Sequence, residues 1–110
     1  MVSQHVKERF LRDPLPIRLG GLASDLARIA SCADNPKNHA VVTSVLEEGK
    51  WFAEWAAPES PIEVREILAR VQIQLAQWQR QCTAGRPDPL MRAEARRWAD
   101  ELLELSGLTR

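Results

Sequence analysis

Proline divides the chain at four places, around 13–16, 34–37, 58–61 and 85–89, and between these breaks apolar residues recur three and four apart. Proline removes a backbone donor and crowds the preceding turn, so a helix does not run through such a break. Leu15, Leu19, Leu22, Leu26, Ile29 and Ala33 are separated by 4, 3, 4, 3 and 4 residues. That is the apolar line one helix face turns toward its neighbours. Val42, Val45, Gly49, Phe52 and Ala56 form a second line, and Val64, Leu68, Val71, Leu75, Trp78 and Cys82 a third. Met91, Ala95, Trp98, Leu102 and Leu105 form a fourth. The short breaks join antiparallel neighbours. The expected fold is all-α: an up-and-down four-helix bundle with a short additional N-terminal helix. Residues 1–14 are read as that short helix or arm and 15–110 as the helical domain.

Local signals mark the ends of these segments. Asn35 with Pro36 and Asp88 with Pro89 each put an N-cap residue before a proline at the first helical position. Ser60-Pro61-Ile62-Glu63 reads as a capping box. Gly85 and Gly107 stand where helices should stop. Val71-Gln72-Ile73-Gln74-Leu75 alternates like a strand, but the capped start and continuous heptad line decide for helix. Gly20-Gly21 beside Ala23, Ala27 and Ala30 has two readings, a close approach by a neighbour or a kink and late helix start.

Fifteen basic residues balance fifteen acidic ones, so no overall field attracts nucleic acid or an anionic membrane. Cys32 and Cys82 are far apart in sequence and are read as thiols of a reducing cytosol, with a bridge between them left open. There is no N-terminal hydrophobic leader and no apolar run approaching eighteen residues. The expected location is cytoplasmic, with no membrane association.

The search for chemistry finds no catalytic, cofactor-binding or metal-ligating set. Neither His5 nor His39 has a glutamate three residues before it, as a di-iron helical site needs. No nucleophile elbow or phosphate-cradling glycine loop occurs. Glu47 and Glu48 point different ways on a helix and are read as solvated. The expectation is therefore a protein that is not an enzyme and carries no cofactor. Arg86, Arg92, Arg96 and Arg97 are the densest basic group, but Asp88, Glu94, Asp100 and Glu101 interleave with them. Nucleic-acid contact through the last helix is thus the alternative reading, not the leading one.

Two places carry more apolar surface than one core needs. In Trp51-Phe52-Ala53-Glu54-Trp55, Phe52 faces the core line, Trp55 its edge, and Trp51 lies nearly opposite Gly49. With Val41 the apolar arc spans roughly 200°, against a stripe of about 100° for a helix with one wet face. Either the short N-terminal helix covers this flank, or a second subunit or partner does. The second place is the reverse face of the fourth segment, where Ile62, Ala69, Ile73 and Ala76 lie among Gln72, Gln77 and Gln79. Val41, Trp51, Trp55, Ile62, Ala69, Ile73 and Ala76 are the candidate interface residues.

The phrases Arg18-Leu19-Gly20-Gly21-Leu22-Ala23-Ser24-Asp25-Leu26-Ala27-Arg28-Ile29, Trp51-Phe52-Ala53-Glu54-Trp55 and Gln74-Leu75-Ala76-Gln77-Trp78-Gln79 resemble a family of small cyanobacterial all-helical proteins. The resemblance covers about residues 15–108 and implies a cytosolic protein of a photosynthetic bacterium. It brings no activity and no catalytic residues. The functional expectation is a helical protein–protein interaction module, a homodimer, whose partner is itself or another protein. A cleft holding a ligand or pigment between tryptophans is a third possibility.

Overall fold

The computed structural model describes residues 3–108; residues 1–2 and 109–110, the outer ends of the expected arm and domain, lie outside the described residues. Five α-helices follow one another: α1 (Gln4–Arg12), α2 (Leu15–Cys32), α3 (His39–Ala56), α4 (Ile62–Thr83) and α5 (Met91–Ser106). Short 3₁₀ turns at Pro36–Asn38 and Ala57–Glu59 flank α3, and no strand occurs among the described residues.

Helices α2–α5 turn their heptad lines inward, except that Leu105 at the end of α5 is exposed and Ser106 is buried in its place. Leu22, Leu26, Ile29, Leu46, Leu68, Val71, Leu75, Trp78 and Leu102 are almost wholly removed from solvent. Burial of each such side chain contributes roughly 1.5–3 kcal/mol. The order of neighbours in space is α5, α2, α3, α4, with α4 and α5 approaching each other much less than the successive pairs in that order. α4 therefore stands at an edge of the packing, held chiefly by α3.

The small residues explain why α2 and α5 pack most closely. Gly20, Ala23 and Ala27 of α2 share one cleft with Ala99 and Leu103 of α5, so no bulky side chain keeps the two backbones apart. α2 is continuous from Leu15, which removes the late-start reading of Gly20-Gly21. A Cβ on Gly20 would stand 2.7 Å from Leu108 Cδ1. The close approach is thus made by a side chain, that of a leucine just after α5.

The helix ends differ in part from the sequence expectation. Pro61, not Ser60, occupies the cap position of α4, and no side chain caps that end. The capping box is not formed, because the buried Ser60 hydroxyl donates to Ala56 O at 2.8 Å and closes the end of α3 instead. Asn35 Oδ1 accepts from Lys37 N at 3.0 Å, so Asn35 caps the 3₁₀ turn that leads into α3. Asp88 Oδ1 accepts from Leu90 N at 2.8 Å, holding the turn before α5. Gly85 and Gly107 both have positive φ, the left-handed conformation that ends α4 and α5 and that glycine adopts without a Cβ clash.

Candidate interaction surfaces

Position on α4 decides how much of its reverse face is open. The core line Val64, Leu68, Val71, Leu75 and Trp78 is inside, so residues about half a turn away look outward. Ile62 and Ile73 are 66% and 60% exposed. Ala69 is exposed and Ala76 half-buried. Glu66 and Arg80 complete the same line, giving Ile62, Glu66, Ala69, Ile73, Ala76 and Arg80 at spacings of 4, 3, 4, 3 and 4. The sequence reading found the apolar members of this outer line and missed its two charged ones. The sheer regularity of the spacing was the available signal.

The aromatic flank of α3 is largely occupied by the chain itself. Phe10 of α1 stacks on Phe52 with ring centroids 4.2 Å apart and lies 5.9 Å from Trp55. Lys7 Nζ sits 5.7 Å from the Trp55 ring centroid, within cation–π range. Trp51 stacks on Trp55 at 5.9 Å and donates from Nε1 to Glu47 at 3.1 Å. Of the two covers left open by the sequence, the short N-terminal helix is the one that lies on Phe52 and Trp55. Val41 is 36% exposed, and Glu47, the acceptor of Trp51 Nε1, is its neighbour in a groove. That groove, of about 660 Å³, is also lined by Arg28, Ala40, Ser44, Val45 and Glu48.

Two buried charges on α2 escaped the sequence reading. Arg18 is 3% exposed; its Nε donates to Asp13 O at 3.0 Å, and its Nη2 pairs with Glu59 at 2.7 Å. This ties the start of α2 to the turn after α3. Asp25, 7% exposed, faces the Glu48 carboxyl on α3. Its Oδ2 is buried with no donor against it. Two facing carboxyls resist carrying charge together, so one keeps its proton. Burial above all pushes the Asp25 carboxyl up to about 8; the Glu48 charge acts the same way, and Arg28 opposes them.

Glu47 and Glu48 do point apart, but neither is simply solvated. Glu48 meets Asp25. Glu47 Oε2 accepts from Gln79 on α4 at 2.6 Å and lies 3.2 Å from Lys50 Nζ. These donors, Gln79 first and then Trp51 and Lys50, hold its carboxyl down at about 2 against the opposing effect of burial. α3 thereby faces α2 across a protonated pair and is tied to α4 by an ionised one.

Two of the four arginines of the basic group, Arg92 and Arg97, are engaged in ion pairs. Arg92 meets Asp34 at 2.7 Å, while Arg97 meets Glu94 at 2.7 Å and Glu101 at 3.9 Å. That leaves little of a phosphate track. His39 opens α3 and borders a cavity of about 380 Å³ with Pro36, Val42, Cys82, Pro87 and Met91. Cys32 and Cys82 are free thiols, and burial pushes the Cys82 thiol up. Among the described residues no three His, Cys, Asp or Glu side chains group as metal ligands would. No helix among them is long and apolar enough to cross a membrane.

Comparison of the chain with protein-family models, curated proteins and solved structures finds no match.

Proposed function

We propose that this protein is a non-enzymatic helical interaction module that works as a homodimer, with the outer line of α4 as its contact. On this reading α2–α5 form an up-and-down four-helix bundle to which α1 is a short N-terminal addition. The neighbour order α5, α2, α3, α4 and the short connections support that architecture. A cytoplasmic location is proposed with it, supported by the two free thiols.

The observation that carries the proposal is the pair Ile62 and Ile73, more than half exposed on one face of an edge helix. Single exposed aliphatics are ordinary. Ile73 in register with Ala69 and Ala76 makes an apolar patch, with Ile62 beyond Glu66 on the same line, and associating surfaces use such patches where solvated helices do not need them. The tryptophan flank is the weaker contact because Phe10 already covers much of it.

Light scattering across a concentration series tests the proposal. The expected result is a mass rising toward twice that of the chain, abolished by Ile73→Glu with helix content unchanged. A monomer at every concentration would remove the homodimer. An Ile73→Glu protein that still dimerises would remove α4 as the contact.

A further inference from the structure

The outer line of α4 also specifies how two copies meet. Its positions 62, 66, 69, 73, 76 and 80 are palindromic in spacing, so the line superposes on a reversed copy of itself about a two-fold axis near residue 71. We propose that α4 pairs with α4 of a second copy in antiparallel register, Ala69 facing Ile73 of the partner subunit and Glu66 reaching Arg80 of the partner subunit. This rests on the homodimer reading above and adds the orientation.

Charges within the outer line itself favour the antiparallel orientation. In a parallel pair Glu66 would oppose Glu66 of the partner subunit and Arg80 would oppose Arg80 of the partner subunit, and like charges across a helix seam repel. Reversal puts Glu66 opposite Ala76 of the partner subunit, one turn from the partner's Arg80. At about 1.5 Å rise per residue that is roughly 6 Å along the axis, which two long side chains span. Both residues are exposed, and neither makes an ion pair within the described chain. Their charges are thus available to a partner. The antiparallel arrangement also sets the two helix dipoles head to tail.

Shape agrees with charge. Ala69 and Ala76 are seven residues apart, so they recur on one line and allow close backbone approach. Each isoleucine at 73 then fills the space left by an alanine across the axis, an alternation of small and large that lets the two faces interdigitate. At the ends, Ile62 lies against the alkyl stem of the partner's Arg80, apolar against apolar with the guanidinium free for Glu66. A single helix pair of this length falls at or below the ~1,200 Å² low end of stable interfaces. The dimer is accordingly a weak one.

Cysteine cross-linking tests the register. Ala69→Cys and Ile73→Cys proteins, one isotope-labelled, are mixed at high concentration under mild oxidant, with the wild-type chain as blank for Cys32 and Cys82. The expected product is a mixed disulfide dimer well above either self-dimer. Dominant Ile73→Cys self-linkage would overturn the antiparallel register while leaving α4 as the contact. Absence of any dimer by light scattering at those concentrations would overturn the homodimer reading and this inference together. Charge reversal is the second arm. Glu66→Arg and Arg80→Glu should each weaken dimerisation several-fold, and the double variant should restore it. A double variant as weak as the single ones would overturn the proposed charge pairing.

Discussion

Asp25 on α2 and Glu48 on α3 face each other as two carboxyl groups across a helix interface, with burial holding Asp25 protonated near neutral pH. A leucine at position 25 would fit the α2 line at least as well by pattern. The polar pair therefore makes the α2–α3 contact sensitive to pH in a way an apolar contact is not.

Asp25→Asn should reveal that sensitivity by removing it. Between the ordinary value of 3.8 and about 8, the folded protein keeps a proton that the unfolded chain releases. Stability consequently falls as pH rises through this window and levels off above it. An asparagine stays neutral throughout, so the variant should match the parent near pH 4 and exceed it by at least ~1 kcal/mol at pH 8, since one unit of pKa is worth about 1.4 kcal/mol. Thermal unfolding from pH 4 to 9 measures this. A variant less stable than the parent at pH 8 would show that the Asp25 charge is not the burden inferred here.

Glu47 should produce the opposite slope at lower pH. Its carboxyl is held at about 2 by Gln79, Trp51 and Lys50, against an ordinary 4.5. Its stabilisation is present in full above about 4.5 and is lost as pH falls toward 2. Glu47→Gln should flatten that acid limb and cost about 1 kcal/mol at pH 7, below the ~1.5–3 kcal/mol of a charged hydrogen bond because the site is partly wet. The two windows overlap only between 3.8 and 4.5, so titration below and above that narrow range separates the α3–α4 contact from the α2–α3 contact. An unchanged acid limb in Glu47→Gln would refute this assignment.

Phe10 and Phe52 are forty-two positions apart in the sequence and stack at 4.2 Å. Phe10→Ala should release α1 while leaving the contacts among α2–α5 in place, because α1 packs chiefly on α3 and only touches α2 near Gly21. The cost should fall below the ~3–5 kcal/mol of a core Phe→Ala change. Tryptophan emission should shift to the red as Trp55 is uncovered, and amide exchange should quicken in α1 while α2–α5 stay protected. Exchange rising equally in all five helices would show that α1 belongs to one cooperative unit with them.

What could be read from the chain and what could not divides along a physical line. The heptad lines of α2–α5 were legible because burial of one helix face is a local periodicity, and the prolines and glycines gave the ends. The same habit hid Arg18 and Asp25. Leu15, Arg18, Leu22, Asp25, Ile29 and Cys32 are spaced 3, 4, 3, 4 and 3, an inward line on which two charges were passed over because only apolar residues were being followed. Ser60 was misjudged because its hydroxyl is spent on a carbonyl of the preceding helix, a competition that a four-residue motif does not display. The stack of Phe10 on Phe52 depends on how α1 folds back, which no spacing encodes. On α4 the outward isoleucines were visible as surplus, while the roles of Glu66 and Arg80 required knowing that this helix stands at an edge.

Gly21 and Gly49 should respond to alanine with opposite signs. Both lie inside helices, where alanine is favoured over glycine by about 1 kcal/mol. At Gly21 the added Cβ would stand 4.0 Å from Phe10 Cε1, an ordinary contact. Gly21→Ala should therefore stabilise the protein by ~0.5–1 kcal/mol, chiefly by restricting the unfolded chain. At Gly49 the Cβ would come within 3.0 Å of Leu75 Cδ1 and 3.7 Å of Leu22 Cδ1. Both leucines are wholly buried in the core, where a shift must displace other packed side chains. Overpacking of this kind costs about 1–3 kcal/mol, so Gly49→Ala should be neutral at best and destabilising by up to ~2 kcal/mol. For a domain of this size each kcal/mol moves the melting temperature by roughly 4–8 °C, so the two variants should melt on opposite sides of the parent. If Gly49→Ala melted above the parent, α3 would have room to retreat from α2 and α4, and the tight three-helix contact inferred at this glycine would be wrong.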